Sequence, residues 1–475
     1  MLRRRTFFMQ YPATIADCYH CNAGQVAINM LPDDTLLEVF DFVLLQNDCI
    51  DAWHPLVHVC RKWRYTVFGS PRRLNLHLHC TGMRKSLTVW PDLPIVIGQY
   101  DPPMCGTDSI LAALEKKDRV CEIMIRHISN SQWENVSEAM QVPLPALTRL
   151  ELVSEDEAIP VVPDSFLGGS APRLRSLSMT RIPFPGLPGL ITNATDLVNL
   201  ELHGIPQSGY FSPEMMATCL STLTSLESLH LEFEFPRPRP IQERGRPPPQ
   251  THFVLPALAY FSFRGDSEYL ENLVAKIDAP LLDGLHITFF HQLIFDTPQL
   301  AWFISRTPNL KAHNEAQVTF FNDSARVQFG STQQFSMRTR CKPSDWQISF
   351  LEQVCNSSLS IIPSLEHLYI REGIHSRPCW QEDIEGSQWL ELLHAFTNVK
   401  NLYLSKGVFP RITPALQELV GERLAEVLPA LEGLFLEEPQ LSGPVQETIQ
   451  NFVELRQLSG FPIAVSHWDR TEHKR

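Results

Sequence analysis

Histidines, carboxylates and thiols are the side chains from which this chain could assemble an acid–base, metal or nucleophilic centre, and their spacing argues against one. Cys18-Tyr19-His20-Cys21 looks like half of a metal site. No second Cys/His pair lies at a suitable distance, so residues 1–27 are read as a flexible leader. No G-x-x-x-x-G-K-[ST] phosphate loop, G-x-S-x-G nucleophile turn, H-E-x-x-H helix or paired C-x-x-C occurs. His230 and His286 each stand between two apolar residues, which places them on the solvent side of a strand and not in a catalytic centre. The chain is expected not to be an enzyme, with no catalytic residues, no metal and no cofactor. The chemistry left to it is recognition.

Recognition needs a surface, and a recurring phrase shows what presents it. From residue 120 the pattern apolar-x-x-apolar-x-apolar returns again and again. It reads Leu147/Leu150/Leu152, Leu174/Leu177/Met179, Leu197/Leu200/Leu202 and Leu226/Leu229/Leu231, and later Leu365/Leu368/Ile370, Val399/Leu402/Leu404 and Leu431/Leu434/Leu436. The alternating end of each phrase predicts a short strand with its apolar side turned inward. Helical stretches between phrases, at Met215–Leu223, Tyr269–Ile277, Gln388–Phe396 and Ala415–Leu428, are expected to cover that side. The phrase recurs at intervals of roughly 23–32 residues and resembles the leucine-rich repeat. The resemblance implies an α/β fold over 71–468: an irregular solenoid, a curved parallel sheet with helices outside. No single unit can bury its apolar face alone, so neighbours stack. The Asn or Cys usual three residues beyond the phrase is missing, with Glu155, Ile182, Ile205, Glu234 and Asp266 in its place. Unequal repeats are the consequence.

Two segments interrupt the pattern. Residues 236–250, PRPRPIQERGRPPPQ, are too rich in proline for regular helix or interior strand and are read as a loop insertion. Residues 310–350 lose the phrase, and the strand-like pieces Val318–Phe321, Val327–Phe329 and Phe335–Arg340 suggest an irregular repeat with an extra hairpin. Val445–Leu458 is helical in pattern, Phe461–Val465 a final capping strand, and 469–475 a frayed tail.

Period-2 alternation then gives the residues of the solvent-facing, concave side. Acidic and small residues gather early and aromatics late. Glu201, His230, His286, Tyr369, Arg371, Tyr403 and Phe435 are the candidate contacts for a target protein, the aromatics as anchors. A net charge of −13 over 475 residues excludes wholesale phosphate-backbone binding, so no nucleic acid is expected. No apolar run reaches the length of a membrane span, so no membrane is expected as a partner either. Eleven scattered cysteines, most inside apolar patterns, fit reduced thiols in cytoplasm or nucleus.

The N-terminal stretch 28–70 is different. Pro32 suits a first helical turn, with Asp33 and Asp34 favourable to the helix dipole. Leu36, Val39, Phe40 and Val43 form one helical stripe, with Leu37 and Leu44 on a second line. A second helical pattern runs Leu56, Val59, Cys60, Trp63, Val67, and Pro55 just before it forces a break or restart. Leu31-Pro32-Asp33-Asp34, the first helix and the closing Val59-Cys60-Arg61-Lys62-Trp63 resemble an F-box. That resemblance implies a substrate-recognition subunit of an SCF-type ubiquitin ligase. The F-box would dock a Skp-type adaptor, and through it a cullin, by way of Leu31, Pro32, Leu36, Leu37, Val39, Phe40, Val59 and Trp63. The repeats would hold an unknown target. An alternative is a repeat module that binds protein outside any ligase, with 28–69 only a cap on the solenoid. A third reading places an enzyme in 310–350.

Overall fold

A computed structural model describes residues 31–45, 53–70, 74, 76–79, 91–99, 106–126, 129–154, 160–236, 252–290, 296–311, 313–330, 334–356, 359, 361–373, 386–419, 423–437 and 444–469. The leader with Cys18, His20 and Cys21, most of the proline-rich segment (237–250) and the tail beyond 469 lie outside the described residues. The chain divides into two compact units, Met1–His79 with Arg84–Ile95, and Val96–Arg475 with Cys80–Met83. The segment around Leu74–Leu78, which the sequence assigns to the solenoid, falls in the first unit.

Among its described residues the first unit carries the helices α1 (Asp33–Leu45), α2 (His54–Val59) and α3 (Arg61–Gly69). The single second helix expected through Val67 is in fact two. Cys60 is extended, at φ −158° and ψ 172°, and divides them. Pro55 sits in the first turn of α2, where a missing N–H leaves no bond unmade. The break frees carbonyls at the end of α2, and Arg64 Nε donates to one of them, Val57 O, at 3.0 Å. Phe40 packs edge-on against Trp63 at 4.7 Å between centroids, and Leu36 and Val57 are fully buried. Lys62 Nζ donates to Leu31 O at 2.7 Å and lies 3.5 Å from Asp33, tying α3 to the entry of α1. Trp53, itself buried, donates from Nε1 to His77 O at 3.0 Å.

In the second unit each recurring phrase ends in a strand. Strands Val120–Ile125, Arg149–Val153, Ser176–Thr180, Asn199–Ile205, Ser228–Phe233, Tyr260–Gly265 and Gly284–Phe289 stand side by side in that order, parallel throughout. Their registers align like with like. Leu150, Leu177, Leu200, Leu229, Phe261 and Leu285 form one inward row, and Leu152, Met179, Leu202, Leu231, Phe263 and Ile287 the next. All twelve are essentially without solvent exposure. From Leu147 onward the first residue of the phrase is buried in the turn ahead of the strand, its N–H bonded three residues back, as in Leu174 to Ala171 and Leu197 to Ala194. One carbonyl per repeat then accepts twice from the next. Arg175 O receives Val198 N and Asn199 N, and Val198 O receives Glu227 N and Ser228 N. These backbone bonds, repeated down the stack, fix the register between units.

Helices return behind the sheet, including Asn130–Ala139, Pro213–Leu220, Ser267–Val274, Pro298–Arg306, Ser344–Asn356, Gly386–His394 and Phe409–Gln417. Glu271 of one helix accepts from Gln299 N and Leu300 N at the start of the next, so one repeat caps its neighbour. The helix expected over Ala415–Leu428 is not continuous. It ends at Gln417, and a separate turn covers Arg423–Glu426 before Leu428 takes a positive φ of 50°.

The irregular repeat places all three of its strands in the main sheet. Glu315–Phe321, Ser324–Phe329 and Phe335–Arg340 form an antiparallel meander. Its last strand pairs in parallel with Gly284–Phe289, and its first pairs in parallel with His367–Glu372. The chain thus skips two places and works backwards before the parallel order resumes through Asn401–Leu404, Gly433–Leu436 and Ala464–His467. The meander keeps the inward alternation, with Ala316, Val318, Phe329, Val327, Phe335 and Met337 buried in line with the leucine rows. The second unit is an α/β stack of strand-and-helix repeats on one long, mostly parallel sheet, with one inverted three-strand insertion.

Candidate functional site

The sheet face opposite the helices carries the polar half of every strand. The strand registers sort its side chains into rungs that cross the sheet. One rung runs Glu201, His230, Ser262, His286, Ser336, Gln328, Gln317, Tyr369, Tyr403, Phe435. Six of the seven predicted target-binding residues lie on it. Arg371 lies on the neighbouring rung, which runs Glu232, Arg264, Thr288, Arg338, Arg326, Thr319, Arg371.

The late end of the first rung is aromatic. Tyr369 stacks on Tyr403 at 4.2 Å, and Tyr403 on Phe435 at 4.5 Å, each pair inclined by 16°. Trp468 meets both tyrosines edge-on. The strand spacing of about 4.8 Å is close to the stacking distance of rings, so parallel neighbours in register must stack. Tyr403, expected as a contact for a target, is consequently 8 % exposed and held between its neighbours, whereas Tyr369 and Phe435 remain half-exposed. Burial pushes the Tyr369 hydroxyl pKa up, keeping it a neutral donor.

The early and central part is ionic. Glu232 accepts from Arg264 and lies 3.3 Å from His203 Nδ1. The bond to His203, more than that to Arg264, holds the Glu232 carboxyl down at about 2. The same bond raises the His203 pKa against the opposing effect of burial. His230 and His286 move the other way, lowered chiefly by burial; His286 Nδ1 is 2.8 Å from Ser336 Oγ. Arg326 and Arg338 face each other directly across the antiparallel pair. Both guanidinium pKa values are depressed by burial, that of Arg326 also by Arg338 itself. A cavity of about 150 Å³ opens here, with Arg264, Arg338, Arg340, Thr288 and Glu232 in its wall.

Sequence reasoning missed this basic centre. Arg326 and Arg338 are 12 residues apart in a stretch without the repeat phrase, and only the meander's inversion sets them beside Arg264 and Arg371. The alternation within each short strand was the available signal.

The predicted adaptor-binding residues divide by burial. Leu36, Leu37 and Phe40 are buried inside the first unit and present nothing to a partner. Their stripe closes on Trp63, because an amphipathic helix must first satisfy its own small core. Pro32, Val39 and Val59 are exposed, and Leu31 and Trp63 half-buried. Phe42 (61 % exposed) and Tyr65 (82 %) join the exposed apolar set without having been singled out from sequence. Val39 and Phe42, three apart on α1, share one helix face.

No protein-family model matches this chain, and no curated protein is similar to it. Among solved structures it is similar to the leucine-rich repeat-containing protein LegL7 from Legionella pneumophila, at 10 % identity and a TM-score of 0.25, over 82 % of this chain and 99 % of that one. Among the described residues no helix is long and apolar enough to cross a membrane.

Proposed function

We propose that this chain is a non-catalytic receptor: the outward rungs of the repeat sheet bind a target protein, and the helical unit binds a Skp-type adaptor that links the target to a cullin-based ubiquitin ligase. The observation that carries the first half is the composition of the face. Half-exposed aromatic, histidine and arginine side chains stand in register on a rigid sheet, the residue types that anchor protein interfaces. The second half rests on the Leu31-Pro32-Asp33-Asp34 and Val59-Cys60-Arg61-Lys62-Trp63 signatures, together with the apolar side chains that the unit leaves outside its core. A helical unit exposing Val39, Phe42, Val59 and Tyr65 has apolar surface in excess of its own packing needs. Catalysis in such a complex is proximity, since holding a target lysine near the ubiquitin thioester raises its effective concentration.

Capture of the tagged chain from cell extract tests both halves. Adaptor and cullin should co-purify with it, and purified adaptor should bind at micromolar concentration. A folded chain that retains no adaptor leaves the repeat sheet as a binding module outside any ligase.

A further inference from the structure

We propose that the last strand of the sheet, Ala464–His467, is a self-association site: two copies of this chain pair their open edges antiparallel, across a two-fold axis at Val465. The surface belongs to the second unit alone and uses none of the residues proposed to touch a target or an adaptor.

Among the described residues this strand pairs on one side only, in parallel with Gly433–Leu436. All four of its residues are exposed, whereas an interior strand such as Ser228–Phe233 buries every second one. Its bonds to the sheet fall on alternate residues. Ala464 N–H donates to Glu432 O at 2.8 Å, and Trp468 N–H donates to Leu436 O at 3.1 Å. Period 2 gives Ser466 the same direction and turns the N–H and C=O groups of Ile463, Val465 and His467 to the open edge. Natural edges are commonly guarded by lysine, by proline within the strand or by a bulge. Here residues 461–468, FPIAVSHW, hold no lysine, arginine or carboxylate, and Pro462 lies ahead of the strand and removes no N–H from it. The edge is an unguarded template for another strand.

A second copy fits that template by symmetry and by charge. In an antiparallel pair about Val465, that residue meets its own counterpart, and Ile463 meets His467 of the second copy. Each such pair exchanges N–H···O bonds through the groups that the single chain leaves open. Self-pairing sets like positions against each other, and like charges there would destabilise the sheet, so an uncharged strand is the kind that tolerates it. On the outward side Ala464 faces Ser466 of the second copy, and both are small enough to meet without a clash. On the other side Val465 continues the row of Leu434 but is 43 % exposed, and its counterpart would cover it. Leu458, at the end of the helix Pro444–Leu458, and Phe461 extend the exposed apolar set. The last repeat therefore lacks the polar outer end that keeps a repeat stack single. Pairing uses up both open edges, so assembly closes at two. The axis stands perpendicular to the sheet and sets the outward faces of the two copies on one side. With only four residues in the strand, the interface belongs to the weak, reversible class.

Sedimentation equilibrium of the full chain tests this. The mass should rise from one chain to two with concentration, at a Kd of about 10–100 µM. Each copy carries a net charge of −13, so raising NaCl from about 0.05 M to about 0.5 M should tighten the dimer. Val465→Pro removes the N–H at the axis, which bonds nothing in the single chain. It should weaken the dimer about tenfold or more with little change in melting temperature, since an edge strand tolerates proline. Val465→Lys and Val465→Glu should each be monomeric, because like charges then meet at the axis, and an equimolar mixture of the two should restore the two-chain mass. That mixture decides the matter should the proline variant fail to fold. A chain that stays monomeric at about 500 µM, assembly beyond two chains, a dimer weakened by salt, a dimer that Val465→Lys leaves intact, or a Lys/Glu mixture that stays monomeric would each overturn the proposal. So would a chain that dimerises only once residues 470–475 are deleted, since that tail would then be the occupant of the edge.

Discussion

Adjacent residues on one strand make the sharpest contrast in this molecule. Leu200 has no exposure and sits in the inward row between Leu177 and Leu229, whereas its neighbour Glu201 points to solvent. Leu200→Ala should destabilise the second unit by roughly 2–5 kcal/mol, and Glu201→Ala by under about 0.5 kcal/mol. Denaturant melts giving equal losses would contradict the register. The His203–Glu232 pair predicts a pH response of definite sign. The Glu232 carboxyl is held below its ordinary value of 4.5, so its contribution is present above that value and is lost as pH falls toward about 2. His203 is raised above 6.5, so its contribution is full below 6.5 and is lost as pH rises through the raised value. Both side chains are about one-third exposed, so solvent screens the pair and its weight in stability is small. Glu232→Gln should therefore show itself in the His203 imidazole titration followed by NMR, as a lower pKa than in the parent, and an unchanged titration would refute the assignment.

Elements change direction where backbone chemistry permits, and glycine marks one such place. Gly330 follows the middle strand of the meander at φ +77°, and a Cβ there would lie 2.6 Å from Nδ1 of buried His313. Gly330→Ala combines an unfavourable dihedral with a clash and should cost about 1–3 kcal/mol. Gly189, in the helix Leu187–Ile191, has open space around its Cβ position and an ordinary φ. Gly189→Ala should stabilise by roughly 0.4–1 kcal/mol. Thermal melts of the two variants should move in opposite directions, and parallel shifts would contradict this geometry.

At the scale of the whole molecule, each unit answers to its own set of surface residues. Val39→Asp with Val59→Asp alters only exposed positions of α1 and α2, so helical circular dichroism should be retained. Capture of a Skp-type adaptor should fall by a factor of about thirty or more, the loss of one interface anchor being about 2 kcal/mol. Phe40→Asp instead buries a carboxylate against Trp63 and should unfold the first unit. The second unit should keep its own melting transition in both cases, because its core is formed by separately stacked repeats. A double variant that is folded and still captures adaptor at the parental level would remove that surface from the proposed interface.

Periodicity carried most of the fold into view. Every clear phrase, from Leu147/Leu150/Leu152 to Leu431/Leu434/Leu436, ends in a strand, because alternation and burial are local properties of a short stretch. Leu177 and Leu200 stand in the inward row for the same reason. The outward positions of each strand were equally legible, and Glu201, His230, His286, Tyr369 and Phe435 occupy them. Tertiary structure decided what lies next to what. Stacking in register buried Tyr403, closure of a small core took Phe40 away from the surface, and an extended Cys60 divided a pattern that reads as one helix. The arginine rung depends on the meander entering the sheet in reverse order, so that Arg338 meets Thr288 and Arg326 meets Thr319. Strand order is a long-range pairing, fixed by which apolar rows continue across the sheet. No window of sequence short enough to show a strand's alternation contains the neighbour that completes its site.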